Sequence, residues 1–139
     1  MLNLPHYWRL LLAGAFLAIT ALPARAAPGP SPVGWPVEVN QAGAAFGSAV
    51  ATAGDVNGDG YADLIIGAPF HDNDDIDEGA AFLYLGNATG LASTPAWTAE
   101  GNQPGARLGA SVATAGDVNS DGYADVIIGA SGHDNGEAD

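Results

Sequence analysis

The sequence predicts an all-β fold assembled from small four-stranded antiparallel sheets that recur along the chain. Three observations lead there. The stretch DVNGDGYAD at Asp55–Asp63 returns as DVNSDGYAD at Asp117–Asp125. The same offset of 62 residues relates Trp35 to Trp97 and His71 to His133, and laying 35–77 on 97–139 matches 28 of 43 positions. Self-similarity at such a period marks a repeat architecture. The apolar runs between these landmarks are short and bounded by glycine, proline or asparagine, which suits strands and is too short for helices.

The elements follow in order. Ser48–Gly54 (SAVATAG) is a first strand, with Ser48, Val50 and Thr52 alternating loosely with alanine. Leu64-Ile65-Ile66 is a compact β-branched run between the acidic stretch and Gly67. Ala80–Leu85 (AAFLYL) is a third run, stopped by Gly86-Asn87, and Ala96–Glu100 (AWTAE) is a fourth, entered through Pro95. Turn residues separate all of them. Four short strands make one small sheet, which is marginal alone. Repeating it side by side around an axis buries both faces, the logic of a β-propeller. Trp35–Val39 aligns with the fourth run at Trp97 and is expected to be a further strand, one that closes a ring against a last blade.

The chain has 139 residues, no cysteine, 47% hydrophobic residues and a formal net charge of −13. The apolar content is enough for a core, so disorder is not expected despite the acidity. Arg9 precedes an apolar run from Leu10 to Leu22, followed by Ala24-Arg25-Ala26. That reads as a signal peptide over residues 1–26, cleaved after Ala26; an uncleaved anchor is the alternative, and the run is short for a membrane span. A secreted or cell-surface location follows. Once the segment is removed, Arg107 is the only Lys or Arg, against all 16 acids. Nucleic acid is excluded as a partner, because binding it needs cations to neutralise phosphates. Anionic membrane surfaces are disfavoured likewise, so no membrane is involved beyond export. Cations are the natural partners, and without disulfides a metal ion can supply the missing cross-link.

The acidic stretch carries the chemistry. Oxygens at loop positions 1, 3 and 5 converge when the backbone curls, and hard Ca²⁺ takes six to eight such donors. Asp55, Asn57 and Asp59 supply them in the first copy, Gly60 permits the sharp turn, Tyr61 offers its backbone carbonyl at position 7, and Asp63 a carboxylate at position 9. Asp117, Asn119, Asp121, Tyr123 and Asp125 repeat the set. An EF-hand is excluded, since position 12 is Ile66 or Ile128 where a bidentate Glu is required, and β-branched runs stand where its helix would be. The same objections exclude a dockerin-like module. Magnesium demands stricter octahedral geometry and is second choice, and zinc lacks His or Cys in the loop. Asp, Asn and Gly favour turns on their own account, so a turn that binds nothing is the remaining alternative. Recurrence of the whole donor set at one offset favours the metal.

Phe46-Gly47, the acidic loop and Gly67-Ala68-Pro69 together resemble the FG-GAP repeat, and the second copy reads Leu108-Gly109, DVNSDGYAD and Gly129-Ala130-Ser131. The resemblance covers residues 33–139: a complete repeat over 35–96 and a truncated one over 97–139, about 1.7 units. It implies a partial β-propeller of the kind at the head of integrin α chains and in many exported microbial proteins. It also implies Ca²⁺ in the hairpin between the first and second strands of a blade, where the ion rigidifies and does not catalyse, with ligands on the opposite face. A propeller needs four to eight blades to close. The expectation is therefore a fragment of a longer protein, poorly stable alone; self-association into a ring is the alternative.

The remaining features read as structural. His71 and His133 hold equivalent positions, which fits a loop role better than catalysis, since catalysis needs one asymmetric site. HDNDDIDE at His71–Glu78 reads as a solvated acidic loop, with a weak second cation site as the alternative. Trp35 and Trp97 are expected to pack between blades, and Asn87-Ala88-Thr89 is a formal glycosylation sequon. No Gly-x-Ser-x-Gly, Walker or His-Glu-x-x-His pattern occurs, so no enzyme is expected. The expected function is an exported calcium-binding scaffold for adhesion or for a protein or glycan ligand. The alternative is the propeller module of a larger secreted hydrolase whose catalytic domain lies outside this sequence.

Overall fold

A computed structural model describes residues 35–134 and Gly136. The signal segment expected over residues 1–26 lies outside them. The described residues form eight strands and no helix: β1 (Ala49–Gly54), β2 (Asp63–Ala68), β3 (Ala80–Tyr84), β4 (Gly86–Asn87), β5 (Gly90–Leu91), β6 (Trp97–Glu100), β7 (Leu108–Gly116) and β8 (Asp125–Ala130). The first sheet has the order β1-β2-β3-β6, β7 and β8 form a second ladder, and β4 and β5 a small hairpin. All of these pairings are antiparallel. This is the architecture of a partial propeller, one four-stranded blade followed by the first two strands of another.

The sequence of β2 explains the core. Its residues DLIIGA are buried on both faces apart from the half-buried Leu64, so a continuous apolar run replaces simple alternation. Successive side chains point to opposite faces. Ile66 therefore joins Ala44, Ala68, Ala80, Phe82 and Tyr84 on one side, with Trp35, Val37, Val39 and Phe46 packed over them. Ile65 joins Ala53, Ala81 and Leu83 on the other, where Val112, Val126 and Ile128 from the second blade close the cluster. Each such buried Ile, Leu or Phe side chain contributes about 1.5–3 kcal/mol. Val112, Val126 and Ile128 are the repeat equivalents of Val50, Leu64 and Ile66. The Ile65 face of the first blade thus meets the Ile66-type face of the second, so the blades stack head to tail, as a repeat array requires.

Two corners of the repeat meet within the first blade: the Gly47 N–H donates to the Gly67 carbonyl (3.0 Å) and Phe46 stacks edge-on against Phe82 at 5.5 Å. Register along β1 and β2 runs Val50↔Ile66 and Thr52↔Leu64, with a bulge between Thr52 and Gly54 where the acidic loop begins.

The expectation of a strand at Trp35–Val39 is corrected: this segment joins no ladder. Pro36 has no N–H to give, and the segment lies on the face of the first sheet, where its odd-numbered side chains pack. The Trp35 indole donates to the Ala92 carbonyl (2.9 Å) and meets Tyr84 edge-on at 4.7 Å. Trp97, its repeat equivalent, is a strand residue of β6 and 45% exposed. Because β6 pairs with β3, from Leu83↔Trp97 to Ala80↔Glu100, the sheet unit spans 49–100 and is out of phase with the sequence period beginning at Trp35. The β4–β5 hairpin is an element that periodicity does not reveal, because two-residue strands carry no period.

Candidate metal centre

The β1–β2 connection curls around its own side chains. Asp55 Oδ1 accepts from the N–H groups of Gly58 (2.7 Å) and Asp59 (3.0 Å), and its Oδ2 from Gly60 (2.8 Å). Asn57 Oδ1 accepts from the Asp59 N–H (3.1 Å), while Asn57 Nδ2 donates to Asp59 Oδ2 (2.9 Å). Asp59 Oδ1 accepts from the Tyr61 N–H (2.9 Å). Side chains at positions 1, 3 and 5 are thereby folded back onto one short arc of backbone. Gly58 at φ 76° and Gly60 at φ 86° permit that arc, since a side chain there would be strained.

The β7–β8 connection repeats the arrangement. Asp117 accepts from Asp121 (3.1 Å) and Gly122 (2.9 Å), Asn119 Oδ1 from Asp121 (2.9 Å), and Asp121 Oδ1 from Tyr123 (2.9 Å). Asn119 Nδ2 again reaches Asp121 Oδ2 at 2.9 Å. One position differs. Ser120 stands where Gly58 does and is held at φ 61°, and Asp117 receives no bond matching the one from Gly58 to Asp55.

Position 9 is built differently from the others. Asp63 is only 2% exposed; its Oδ2 accepts from Val56 N–H (2.8 Å) and its Oδ1 from Gly86 N–H (2.8 Å). It ties the acidic loop to the β4–β5 hairpin. Asp125 keeps the first of these bonds, from Val118 (2.9 Å), and is half-buried. At position 7 the rings of Tyr61 and Tyr123 are 44% and 48% exposed, and neither backbone carbonyl is taken by another group among the described residues.

The residues in place suit a hard cation in their chemistry. Each loop presents Asp, Asn and Asp oxygens at positions 1, 3 and 5 and a free carbonyl at 7, with no nitrogen or sulfur ligand type among them. Among the described residues no group of three or more acidic or histidine side chains forms a metal cluster unaided. Asp63 and Asp125 are engaged by backbone N–H groups, although a carboxylate oxygen with two lone pairs retains acceptor capacity beside one such bond. Ca²⁺, when bound, would supply a multidentate cross-link between loop positions 1, 3, 5, 7 and 9.

Two features escaped sequence reasoning. Glu78, the last residue of the supposedly solvated HDNDDIDE loop, is fully buried. Its Oε1 accepts from the N–H groups of Asn73 (2.8 Å) and Asp74 (3.1 Å), and its Oε2 from Asn102 (3.1 Å). Its position directly before Gly79 and the apolar run of β3 was the available signal. The second is a clamp: the Gln41 side chain brackets the backbone of Asp72 with bonds of 2.9 and 3.0 Å. Gln103 does the same to Asp134 at 2.8 and 2.7 Å. Equivalent glutamines at the repeat offset were the sign. His71 packs edge-on against Phe82 at 5.7 Å, and its Nδ1 is buried without a hydrogen bond.

Stacked antiparallel blades, each carrying an Asp/Asn loop between its first two strands, define a β-propeller repeat protein. Residues 46–84 and 108–139 match the FG-GAP repeat, and the chain belongs to the FG-GAP repeat family. It is similar to integrin alpha-3 of Cricetulus griseus, 38% identical over 96 residues, covering 68% of this chain and 9% of that protein. It is also similar to integrin alpha-V of Gallus gallus, 39% identical over 95 residues (66% and 9%), and to integrin alpha-IIb of Homo sapiens, 38% identical over 88 residues (63% and 8%). The chain therefore spans less than a tenth of the length of these relatives.

Proposed function

We propose that this chain is part of an exported, calcium-binding FG-GAP propeller that serves as an adhesion-type or ligand-binding scaffold. Ca²⁺ is held by Asp55, Asn57, Asp59, the Tyr61 carbonyl and Asp63 in the first loop, and by Asp117, Asn119, Asp121, the Tyr123 carbonyl and Asp125 in the second. Its role is to rigidify the hairpins. The observation that carries this reading is the twofold occurrence of one loop geometry, in which oxygens at positions 1, 3 and 5 are turned inward by the loop's own N–H groups. Three carboxylates within nine residues, Asp55, Asp59 and Asp63, repel one another unless a counter-ion joins them. Arg107, the one Lys or Arg beyond Gly34, instead lies over the Phe70 ring at 5.4 Å. Export rests on the Leu10–Leu22 run and the Ala24-Arg25-Ala26 site, and a protein or glycan ligand would use propeller surface beyond the two loops.

Calorimetric melting of the full chain in calcium and in EGTA tests the reading. Calcium should raise the melting temperature by several degrees, since a ligand that binds only the folded state stabilises it by mass action. Superimposable melting curves would overturn the calcium role.

A further inference from the structure

The two loops are not separate. Across the blade interface the Asp55 carbonyl accepts a hydrogen bond from the Ala124 N–H at 2.9 Å. A Cβ on Gly58 would stand 2.7 Å from Cε1 of Tyr123, so the Tyr123 ring lies directly on the first loop. A Cβ on Gly54 would stand 2.6 Å from the Cβ of Ala124. Positions 1 and 4 of the first loop thus hold positions 7 and 8 of the second.

The chemistry of that contact is specific. The Ala124 N–H and the Tyr123 C=O belong to one peptide group, which is planar and trans. In a trans peptide the N–H and C=O vectors are opposed. Fixing the N–H on Asp55 therefore aims the Tyr123 carbonyl away from the first loop and sets its direction within the second. A hydrogen bond at the N–H also polarises the carbonyl, making it a better donor to a cation.

We propose that the Tyr123–Ala124 peptide couples the two loops, so that a divalent cation held by Asp55 orders the Tyr123 carbonyl and tightens binding in the second loop. This rests on the calcium reading above. Coupling is reciprocal by linkage, so an ion in the second loop tightens the first by the same factor. The Tyr123 ring on Gly58 keeps the two arcs of backbone in register, and Tyr123 acts as a positioning residue as well as a carbonyl donor.

Native mass spectrometry of the full chain titrated with CaCl₂ counts ions per molecule. The proposal expects fewer singly loaded chains at half-saturation than independent sites produce. Calorimetric titration of Asp59→Ala and Asp121→Ala, both at exposed loop positions, should show the intact loop binding about fivefold or more weakly than in the parent chain, equally in both directions. A binomial ion distribution, or an intact loop that keeps its parent affinity, overturns the coupling while leaving the calcium reading standing. No bound calcium in the parent chain overturns both.

Discussion

The Cα of Gly109 rests against Gly67: a Cβ added to Gly67 would lie 3.0 Å from that Cα and collide with the Gly109 carbonyl oxygen. Gly67 is the glycine of the first repeat's Gly67-Ala68-Pro69 corner, and Gly109 that of the second repeat's Leu108-Gly109 corner. The signature residues of neighbouring repeats therefore form the blade contact itself. Gly67→Ala should destabilise the chain by about 3 kcal/mol, the upper end for overpacking, because backbone cannot give way as a side chain would. Urea denaturation followed by tryptophan fluorescence measures it, and a loss below about 0.5 kcal/mol would show that the blades do not approach this closely.

Gly58 and Ser120 hold the same loop position at φ 76° and φ 61°. A serine there is strained and a glycine is not, so Ser120→Gly should stabilise the second loop, offset in part by the greater freedom it gives the unfolded chain, for a net gain of about 0.5–1 kcal/mol. Gly58→Ala should be the worse change, since it combines the same strain with a contact on Tyr123. Thermal melts of the pair give the order, and equal effects would contradict the geometry.

Asp63 and Asp59 separate architecture from ion binding. Asp63 is buried and satisfies two N–H groups of its own chain, whereas Asp59 is exposed. Asp63→Ala should already cost about 3 kcal/mol in EGTA, because Val56 and Gly86 N–H groups lose their acceptor, and more in calcium, where a ligand is lost as well. Asp59→Ala should cost little in EGTA, within about 1 kcal/mol, and remove most of the stabilisation by calcium. Melting both variants under both conditions distinguishes them; an Asp63 variant restored by EGTA would reverse the assignment.

Glu78 holds the 72–78 loop to the segment entering the second blade through Asn102. Glu78→Ala leaves three N–H groups without their acceptor, at a cost of about 3 kcal/mol or more. Hydrogen exchange should accelerate at Asn73, Asp74 and Asn102 together. Acceleration at Asn73 and Asp74 with Asn102 protected would show that the loop and the blade connection are held separately.

Much of this was legible in the residues. The 62-residue recurrence identified the repeat, and the glycine-bounded apolar runs marked β1, β2, β3 and β6 to within a residue or two. The oxygen pattern of the two loops, with Ile66 and Ile128 at position 12, separated a blade hairpin from a helical calcium site. These features are local: strand period, turn chemistry and donor spacing are written in consecutive residues.

Other features depended on which surfaces meet. Trp35–Val39 shares its Trp and Glu with the equivalent run at Trp97, yet its odd-numbered side chains pack on the face of the sheet whereas β6 pairs along the edge of β3. Glu78 sits in an acidic run and is nonetheless buried, since three N–H groups converge on it, one of them from Asn102, 24 residues further along the chain. The peptide joining Tyr123 to Ala124 is aimed by a carbonyl in the other repeat. A sequence can place an oxygen at position 7 of a loop, but its direction is set by the packing of one blade on the next.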